Sequence, residues 1–382
     1  MKIETKILNF EKYLISLNIK KLIFFYFLII IFKVGIWYHP ALWKHLEISI
    51  NPFNEILLNN VLAHYLYYNF LGVYIADLLN FSTKLSFFIY HLFFSFVFNL
   101  TFIYIVFKNL EKRNAVYSLI LFLIFPVSTT VFFWVGYDSI MLSLIILSIL
   151  FRSNYFLVFI FGVLLGLQHF EIGFLSALTL FTLNIYNKYF SKKSFLNLKF
   201  SIFLLVGVII GKIILTIYFN HIGIELNSGR TWYVITKSKH FLYNSFFNFY
   251  VILWFSLSLG WIVVIRYIFY SNKNNFFVFL LFGQFLIILI VDDQTRVFAG
   301  LSFLILLSQI FLNEDFLKEI KTQEIVLLLA LWILMPYGWV WQGVLRSSMF
   351  MYDFSYVINF FFNIFNDPSI KSSIIWPFKT LR

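Results

Sequence analysis

The residues best suited to chemistry lie in three short polar clusters, each placed between two long apolar stretches. The clusters span residues 134–139, 168–171 and 292–296. Their side chains are Trp134, Tyr137, Asp138, His169, Glu171, Asp292, Asp293 and Arg296. Together they supply aromatic rings, carboxylates, one imidazole and one guanidinium.

These groups favour sugar transfer from a phosphorylated carrier. A carboxylate can act as a general base on an attacking hydroxyl, or hold a divalent cation such as Mg²⁺ or Mn²⁺. His169 can share the role of base or bind phosphate, and Arg296 offers a planar fork for phosphate or diphosphate. Arg230 and Arg346, in longer polar segments, can do the same. The rings of Trp134 and Tyr137 suit the C–H faces of a sugar.

Each cluster also has a purely structural interpretation. Asp138 can cap the helix that begins near residue 139, since Asp is a preferred N-cap. Asp292 and Asp293 can cap the next helix and pair with Arg296. His169 and Glu171 can share a hydrogen bond across a tight turn.

The composition requires a membrane around these clusters. Hydrophobic residues make up 61% of the 382 residues, and charged residues only 12%, against about 25% in a soluble globular domain. The net charge of +12 comes from short basic clusters between apolar segments, which is typical of cytoplasmic loops and not of a nucleic-acid-binding surface. We therefore predict a protein that contacts membrane lipids and no nucleic acid.

The apolar pattern predicts an all-α integral membrane protein with about eleven transmembrane helices, since about 20 apolar residues cross the hydrocarbon core. The predicted spans are 22–38, 84–107, 116–134, 138–151, 154–169, 172–187, 200–219, 244–268, 276–291, 296–313 and 324–341. The chain is interpreted as one domain, 1–382, whose long outer segments are 39–83, 220–243 and 342–382. The first of these predicts two interfacial helices, near 56–63 and 65–79.

More than half of the 29 Lys and Arg residues fall on the side of the membrane that contains the N-terminus. Basic residues are enriched in cytoplasmic loops, so the N-terminus is predicted inside, and an odd number of spans then puts the C-terminus outside. All three polar clusters fall on the outer side of the membrane, which we expect to be a bacterial cytoplasmic membrane.

This layout resembles the polytopic glycosyltransferases of the GT-C class, which have a cytoplasmic N-terminus, a long first outer loop with interfacial helices and a bundle with short turns. The resemblance covers most of the chain as topology and only short patches as sequence. It implies a polyprenyl-linked sugar donor, a glycan acceptor and a catalytic carboxylate soon after the first span. The matching stretch, residues 35–43, contains no Asp. Glu47 or Glu55 can substitute, or Asp138 and Glu171 can take the role.

The size, the composition and the outer loops are also similar to those of polysaccharide polymerases of the O-antigen type. Outer-loop arginines matter in that family, and Arg230, Arg296 and Arg346 are the positions that could correspond. Both resemblances imply glycosyl transfer from a lipid-linked donor at the outer leaflet, in the assembly of O-antigen, capsule or exopolysaccharide.

A transporter, or a flippase for lipid-linked sugars, is the alternative function. Such proteins often have internal repeats and helices broken at mid-membrane. Pro126 and Pro336 interrupt two predicted spans, but no internal repeat is visible in the sequence. A transporter should also bury charge at mid-depth, and only Lys33 and Lys212 come close to it, whereas the sequence places its other charges at the rim of the membrane.

Overall fold

A computed structural model describes residues 2–39, 41–50, 69–190, 194–223, 226–271, 275–335, 337–341 and 344–347. Within these ranges the protein is almost entirely α-helical. The helices of the first half are α1 (Lys2–Ser16), α2 (Ile19–Val34), α3 (Leu42–Ile50), α4 (Phe70–Leu78), α5 (Lys84–Asn109), α6 (Lys112–Ile124), α7 (Pro126–Phe133), α8 (Tyr137–Leu150) and α9 (Tyr155–Tyr189).

The second half continues the bundle and ends in a short hairpin. Its helices are α10 (Leu198–His221), α11 (Leu226–Phe247), α12 (Phe249–Leu257), α13 (Gly260–Ser271), α14 (Asn275–Ile288), α15 (Gln294–Leu306), α16 (Glu314–Glu319) and α17 (Thr322–Leu334). A π-helical turn, Leu307–Phe311, continues α15. Two antiparallel strands, β1 (Gly338–Trp341) and β2 (Val344–Ser347), pair with each other.

Several of these helices are suited to crossing a membrane. Four helical segments are long and apolar enough to cross a membrane, the last being α15 with its π-helical turn: Lys84–Asn109, Tyr155–Tyr189, Leu198–His221 and Gln294–Phe311. The number rises to 7 if each of three bent helix pairs is one span. The multi-pass helical character is therefore confirmed, but the number of eleven spans is not.

Two predicted spans are bent rather than straight. The span predicted at 116–134 consists of α6 and α7, which meet at 54°. Pro126 is the first residue of α7, and proline cannot continue the hydrogen bonding of a preceding helix. The span predicted at 244–268 consists of the end of α11 followed by α12 and α13, and the last two meet at 77°. Ser258 lies at this bend with a φ of 54°.

Helix α9 folds back on itself at His169, whose φ of −159° and ψ of 84° are not helical. A Cβ atom added to Gly173 would lie 2.8 Å from Cγ of Leu165, although eight residues of straight helix span about 12 Å. The two halves of α9 therefore form a helical hairpin. The predicted tight turn between the spans 154–169 and 172–187 agrees with this reversal.

The first half of α9 packs on α10 through glycines on both helices. Added Cβ atoms at Gly162 and Gly166 would lie 2.6 Å and 2.3 Å from carbonyl oxygens of α10, and those at Gly207 and Gly211 would lie 2.4 Å and 2.2 Å from carbonyl oxygens of α9. The backbones touch, as in membrane helix pairs with small residues at every fourth position.

Helix α15 is the central helix of the bundle, because 94% of the segment Gln294–Phe311 is buried.

The span predicted at 324–341 is helical only in its first part. Helix α17 ends at Leu334, and the chain then forms β1. Lys33, on α2, donates from Nζ to the carbonyl oxygens of Ile333, at 3.1 Å, and of Met335. Carbonyl groups at the C-terminal end of a helix have no hydrogen-bond donor within that helix. Lys33 therefore caps the C-terminal end of α17.

The predicted interfacial helix at 56–63 lies outside the described residues, and α4 covers part of the one predicted at 65–79. Residues 220–243, predicted as an outer segment, contain the end of α10 and most of α11. The polar residues of this segment predicted a loop outside the membrane, but polar residues can also form a helix.

Candidate functional site

The site is built around the junction of α7 and α8, where residues 134–136 are not helical. Helix α2 ends at Gly35, whose φ of 75° is accessible to glycine without strain. Residues 36–39 then run parallel to residues 132–135. Trp37 N–H donates to Phe132 O at 2.9 Å, Val135 N–H to Trp37 O at 2.7 Å, and His39 N–H to Val135 O at 2.9 Å. The segment after α2 is thereby fixed beside the first polar cluster.

A buried ionic triad connects the first and third clusters. Arg296 donates from Nη1 to Asp138 Oδ2 at 2.6 Å and from Nε to Asp293 Oδ2 at 2.7 Å. The side chains of Arg296, Asp138 and Asp293 are only 10%, 4% and 5% exposed. Such short charge-assisted bonds are among the strongest in proteins. The predicted pairing of Asp293 with Arg296 is confirmed, and Asp138 joins it from another helix.

The ends of two helices position this triad. Asp138 lies in the first turn of α8, and Asp293 directly precedes α15. Negative charge is favoured at helix N-termini because the peptide dipoles place partial positive charge there. Neither Asp accepts a capping hydrogen bond at its helix start. Capping therefore does not explain Asp138, and both carboxylates are directed at Arg296 instead.

Burial raises the pKa of Asp293 to about 7, although the neighbouring charge of Arg296 lowers it in part. Asp138 and Asp292 add to the increase because they are like charges. Two carboxylates close to one guanidinium leave an excess negative charge, and a proton on Asp293 removes it. Asp293 is therefore a carboxylate that can exchange a proton near neutral pH.

Tyr137 lies at the centre of the site. The guanidinium carbon of Arg296 is 5.1 Å from the centre of its ring, within the range of a cation–π interaction. The rings of His39, His45 and His169 have centroids 4.7, 4.9 and 6.4 Å away. Tyr137 is half-buried, whereas Asp138 beside it is buried. The phenol ring thus brings the three histidines and the ionic triad together.

His39 is held in one tautomer. Its Nδ1 accepts the N–H of Ala41 at 3.0 Å, so in the neutral ring Nε2 bears the proton. That Nε2 is 3.2 Å from the hydroxyl oxygen of Tyr137. Burial, and then the charge of Arg296, lowers the pKa of His39 well below its ordinary value. His39 is consequently a neutral hydrogen-bond donor to Tyr137.

Gly136 allows this close approach of the two segments. A Cβ atom added there would lie 2.9 Å from Cβ of His39. His45, on α3, is also buried, and burial lowers its pKa to about 4. Its Nε2 lies 3.4 Å from Nδ2 of Asn69. The segment between α2 and α4 therefore contributes two neutral imidazoles to the site.

The second polar cluster joins the site through Gln168. Its Nε2 donates to Tyr137 O at 3.1 Å, and its Oε1 accepts from Gly72 N–H at 2.7 Å. His169 Nδ1 and Glu171 Oε2 are 3.6 Å apart, which is the distance of an ion pair and too long for the hydrogen bond that the sequence predicted. The turn of the α9 hairpin is thus tied to the start of α8 and to α4.

Tryptophans line the side of the site next to β1. The ring of Trp339 lies 4.6 Å from that of Trp134 and 4.7 Å from that of Phe133, between centroids. The ring of Trp341 meets Trp134 edge-on at 5.9 Å. The N–H of Val340 donates to Thr295 Oγ1 at 3.1 Å, which holds β1 against the start of α15.

The structure brings most of the predicted site residues together. Those that meet through the contacts above are Trp134, Tyr137, Asp138, His169, Glu171, Asp293 and Arg296. Asp292 is the immediate neighbour of Asp293 and is half-buried. Glu47 is exposed on α3 and makes no hydrogen bond or ion pair with the described residues, because its helix turns His45 inward instead. Its role as a substitute for the catalytic carboxylate therefore stays a prediction.

Three predicted residues have undescribed side chains. Glu55 lies outside the described residues, and only the backbone of Arg230, in α11, and of Arg346, in β2, is described. Arg346 pairs with Trp339 across the hairpin.

The sequence did not single out His39, His45 or Trp339 as site residues. His39 occupies the place in the chain where the GT-C resemblance implies a carboxylate, so the position was indicated but the residue type was not. Trp339 lies in an apolar run that was interpreted as the end of a span, and rings at span ends are usually interfacial. Only the turn of the chain after Leu334 directs it inward.

A divalent cation does not fit the triad. Asp138 and Asp293 each use one carboxylate oxygen on Arg296, whose guanidinium occupies the place between them that a cation would take. In the described part of the chain, no three His, Asp or Glu side chains gather as ligands. Mg²⁺ and Mn²⁺ prefer several oxygen ligands, so no step at this site is assigned to them.

The triad still leaves groups for a ligand. The Nη2 amino group of Arg296 makes no hydrogen bond within the described residues, and Oδ1 of both Asp138 and Asp293 is buried without a partner. The arrangement can therefore bind an anionic oxygen at Arg296 and accept protons or hydroxyl groups at the carboxylates.

Comparison with models of protein families, with curated proteins and with solved structures finds no match to this chain.

Proposed function

We propose that this protein is a membrane glycosyltransferase or polysaccharide polymerase, acting on a polyprenyl-phosphate-linked or polyprenyl-diphosphate-linked sugar at the outer face of a bacterial cytoplasmic membrane. Its product is a cell-surface glycan. The observation that supports this most is the buried triad of Asp138, Arg296 and Asp293 beside Tyr137. Charged groups are costly at membrane depth and are retained there for function.

The groups of the triad suit the two halves of a sugar transfer. The acceptor hydroxyl attacks the anomeric carbon, the bond from that carbon to the phosphate oxygen breaks, and the electron pair stays on the phosphate. Nη2 of Arg296 is assigned to the phosphate, where a guanidinium stabilises the developing charge. A carboxylate takes the hydroxyl proton, and Asp293, with its pKa raised to about 7, matches a general base working near neutral pH.

A transporter or flippase of lipid-linked sugars is the second candidate. Three bent helix pairs favour it: Glu4–Ser16 with Ile19–Val34 at 113°, and the pairs at Pro126 and Ser258. Broken helices line the central sites of many transporters. Transport needs the substrate to leave unchanged, so the two candidates differ in whether a new glycosidic bond forms.

The test begins with deletion of the gene in its host and analysis of the surface glycan on a gel. The deletion is complemented with wild type, Asp293→Asn, Arg296→Lys and, as a control, Glu314→Gln. Glu314 forms an exposed ion pair of 2.7 Å with Lys318, beyond the end of Gln294–Phe311 that is opposite the triad. Membrane levels of every variant are measured by immunoblot.

We expect wild type and Glu314→Gln to restore the glycan and the two triad variants to fail at normal membrane levels. Accumulation of single repeat units indicates a polymerase, and loss of one sugar indicates a single-addition transferase. Transferase activity is then measured with lipid-linked donor and membranes from each strain. An unchanged glycan in the deletion strain contradicts the proposal, and a lost glycan with normal bond formation in opened vesicles supports the flippase.

A further inference from the structure

Helix α11 presents a stripe of apolar side chains that the rest of the protein leaves uncovered. Four of them are more than half exposed: Ile235 (67%), Leu242 (52%), Tyr243 (65%) and Phe246 (78%). Spacings of three, four and seven residues place them on one face of the helix. A different face packs on the protein through Phe241 and Ser245, each 2% exposed. A contiguous apolar stripe of this kind marks a surface that the membrane or another molecule covers.

The contact of Ser245 places α11 at a membrane boundary. Its hydroxyl group donates to Leu289 O at 2.8 Å. Leu289 directly follows α14 and begins the turn that carries Asp292 and Asp293 to α15. The segment Gln294–Phe311 after this turn is long and apolar enough to cross a membrane. Helix α11 therefore lies beside the end of a span, where the hydrocarbon core meets the headgroups.

The composition of α11 suits this boundary better than the hydrocarbon core. The helix has 22 residues, but it is not among the described segments that are long and apolar enough to cross a membrane. Its sequence holds Arg230, Lys237 and Lys239 and no acidic residue. Lys239 is exposed on the apolar stripe, four residues before Tyr243 and seven before Phe246. Helices with apolar side chains on one face and lysines beside them lie in the membrane interface.

Lys239 selects the partner of the stripe. If a second copy of the chain covered the stripe, Lys239 would lie within the contact, and lysine is depleted in protein interfaces. The ammonium group needs an anion, and its apolar stem can follow the stripe to reach one. At a bilayer surface, phosphate groups lie directly outside the acyl chains. A lipid surface therefore satisfies both the apolar side chains and the lysine.

We propose that α11 is an interfacial helix whose face of Ile235, Lys239, Leu242, Tyr243 and Phe246 binds the surface of an anionic bilayer. The apolar side chains contact the acyl chains, and Nζ of Lys239 binds the phosphate groups of phospholipids such as phosphatidylglycerol. This inference does not depend on the proposed function, because a transporter with the same helix would bind the same surface.

The first measurement uses the full chain in lipid nanodiscs. The chain contains no cysteine, so a spin label can be attached at Leu242→Cys, at Phe246→Cys or, as the matched control, at Lys237→Cys. Lys237 is exposed, and its nine-residue separation from Phe246 places it on the opposite side of the helix. We expect oxygen, which concentrates in lipid, to relax the labels at 242 and 246 most. A water-soluble nickel chelate should relax the label at 237 most.

The second measurement tests the charge of Lys239. A fluorophore is attached at Phe246→Cys in nanodiscs of phosphatidylglycerol and phosphatidylcholine, of which one or the other is brominated to quench it. One lysine near an anionic surface strengthens binding about fivefold. We therefore expect phosphatidylglycerol to quench more, and Lys239→Gln to lower this preference by about that factor. Lys318→Gln, whose lysine is exposed and paired with Glu314, should leave the preference unchanged.

Several results would overturn the inference. Relaxation of the label at 246 mainly by the nickel chelate would place this face in water. Equal quenching by the two phospholipids, or a preference that Lys239→Gln leaves intact, would remove the role of the lysine. Dipolar coupling between labels at 246 on two copies would show that a second copy covers the stripe. Preferential quenching by brominated polyprenyl phosphate alone would assign the face to the sugar carrier instead.

Discussion

Arg296 is fixed by two carboxylates that come from different parts of the chain, and this arrangement is what stabilises three charged groups away from water. Two opposite charges and their hydrogen bonds offset the cost of burying the guanidinium. Removing either carboxylate breaks one of these two hydrogen bonds and leaves the guanidinium with a single counter-ion among the described residues. The site is thus both a functional candidate and a structural joint between α8 and α15.

Replacing Asp138 by Asn should destabilise the protein strongly. Breaking one partner of a buried pair costs about 3–5 kcal/mol, whereas an exposed pair contributes about 0–1 kcal/mol. We expect Asp138→Asn to lower the thermal stability in detergent well below that of Glu314→Gln. Equal melting temperatures for the two variants would show that the triad contributes little to the fold.

Stability should also depend on pH through Asp293. Its pKa is about 7 in the folded protein and near its ordinary value of 3.8 in the unfolded chain, so the folded state holds the proton longer. Wild type therefore loses stability relative to Asp293→Asn as the pH rises from about 4 to about 7, and the difference levels off above that. Melting temperatures of both proteins from pH 5 to pH 8.5 measure this. Parallel curves would contradict the raised pKa.

Single residues differ in how far the sequence predicts them. Asp138, Asp293 and Arg296 stand out because ionisable groups are rare in an apolar chain, and their side chains could be expected near one membrane boundary. Their pairing across 158 positions does not follow from local pattern. His39 and Trp339 resemble ordinary boundary residues, and only tertiary structure places them in the site.

At the scale of helices, the hairpin of α9 and its glycine contact with α10 position the turn at Gln168 and His169. The short side chains let two backbones touch, and that proximity fixes where the turn meets Tyr137. Small residues four positions apart on both helices are a pattern that sequence displays, although it does not identify the partner helix.

An added methyl group should have opposite effects at two helical glycines. Gly166→Ala would place Cβ 2.3 Å from Val208 O, whereas Gly283, on α14, has nothing within 4 Å of its added Cβ. We expect Gly166→Ala to lower the melting temperature and the membrane level. Gly283→Ala should be neutral or stabilising by about 1 kcal/mol, since Ala is the better helix former. Tolerance of Gly166→Ala would contradict the close contact.

Bends and short strands are the parts of the fold that the sequence predicts least accurately. Pro126 marks the break between α6 and α7, but the angle depends on packing. The strand β1 was expected to be helical because a short apolar run has no period that separates a buried strand from a helix. The kink at His169 agrees with a turn predicted from polar residues alone.

At the scale of the molecule, composition and apolar segments predict the class, a multi-pass helical membrane protein. The number of crossings does not follow as securely, because bent pairs and the α9 hairpin each combine two apolar segments. The predicted orientation follows from the distribution of Lys and Arg between the two sides.

The predicted orientation can be tested with reporters. Alkaline phosphatase is active outside the cytoplasmic membrane, and green fluorescent protein fluoresces inside it. Fusions after residue 110, between α5 and α6, should give fluorescence and no phosphatase activity. Fusions after residue 292, before α15, should give the reverse. The opposite pattern would place the triad at the cytoplasmic face and remove the outer leaflet from the proposed function.

The distance of 158 residues between Asp138 and Arg296 also matters while the protein is being synthesised. Helix α8 leaves the ribosome long before α15 exists, so the carboxylate of Asp138 enters the membrane without its counter-ion. A nascent or truncated chain that ends before α15 presents a lone acidic group next to hydrocarbon, which is an unstable arrangement. The arrival of Arg296 removes that exposure. The same contact that completes the site therefore distinguishes a finished chain from an incomplete one, and unfinished chains are expected to be the preferred substrates of membrane proteases.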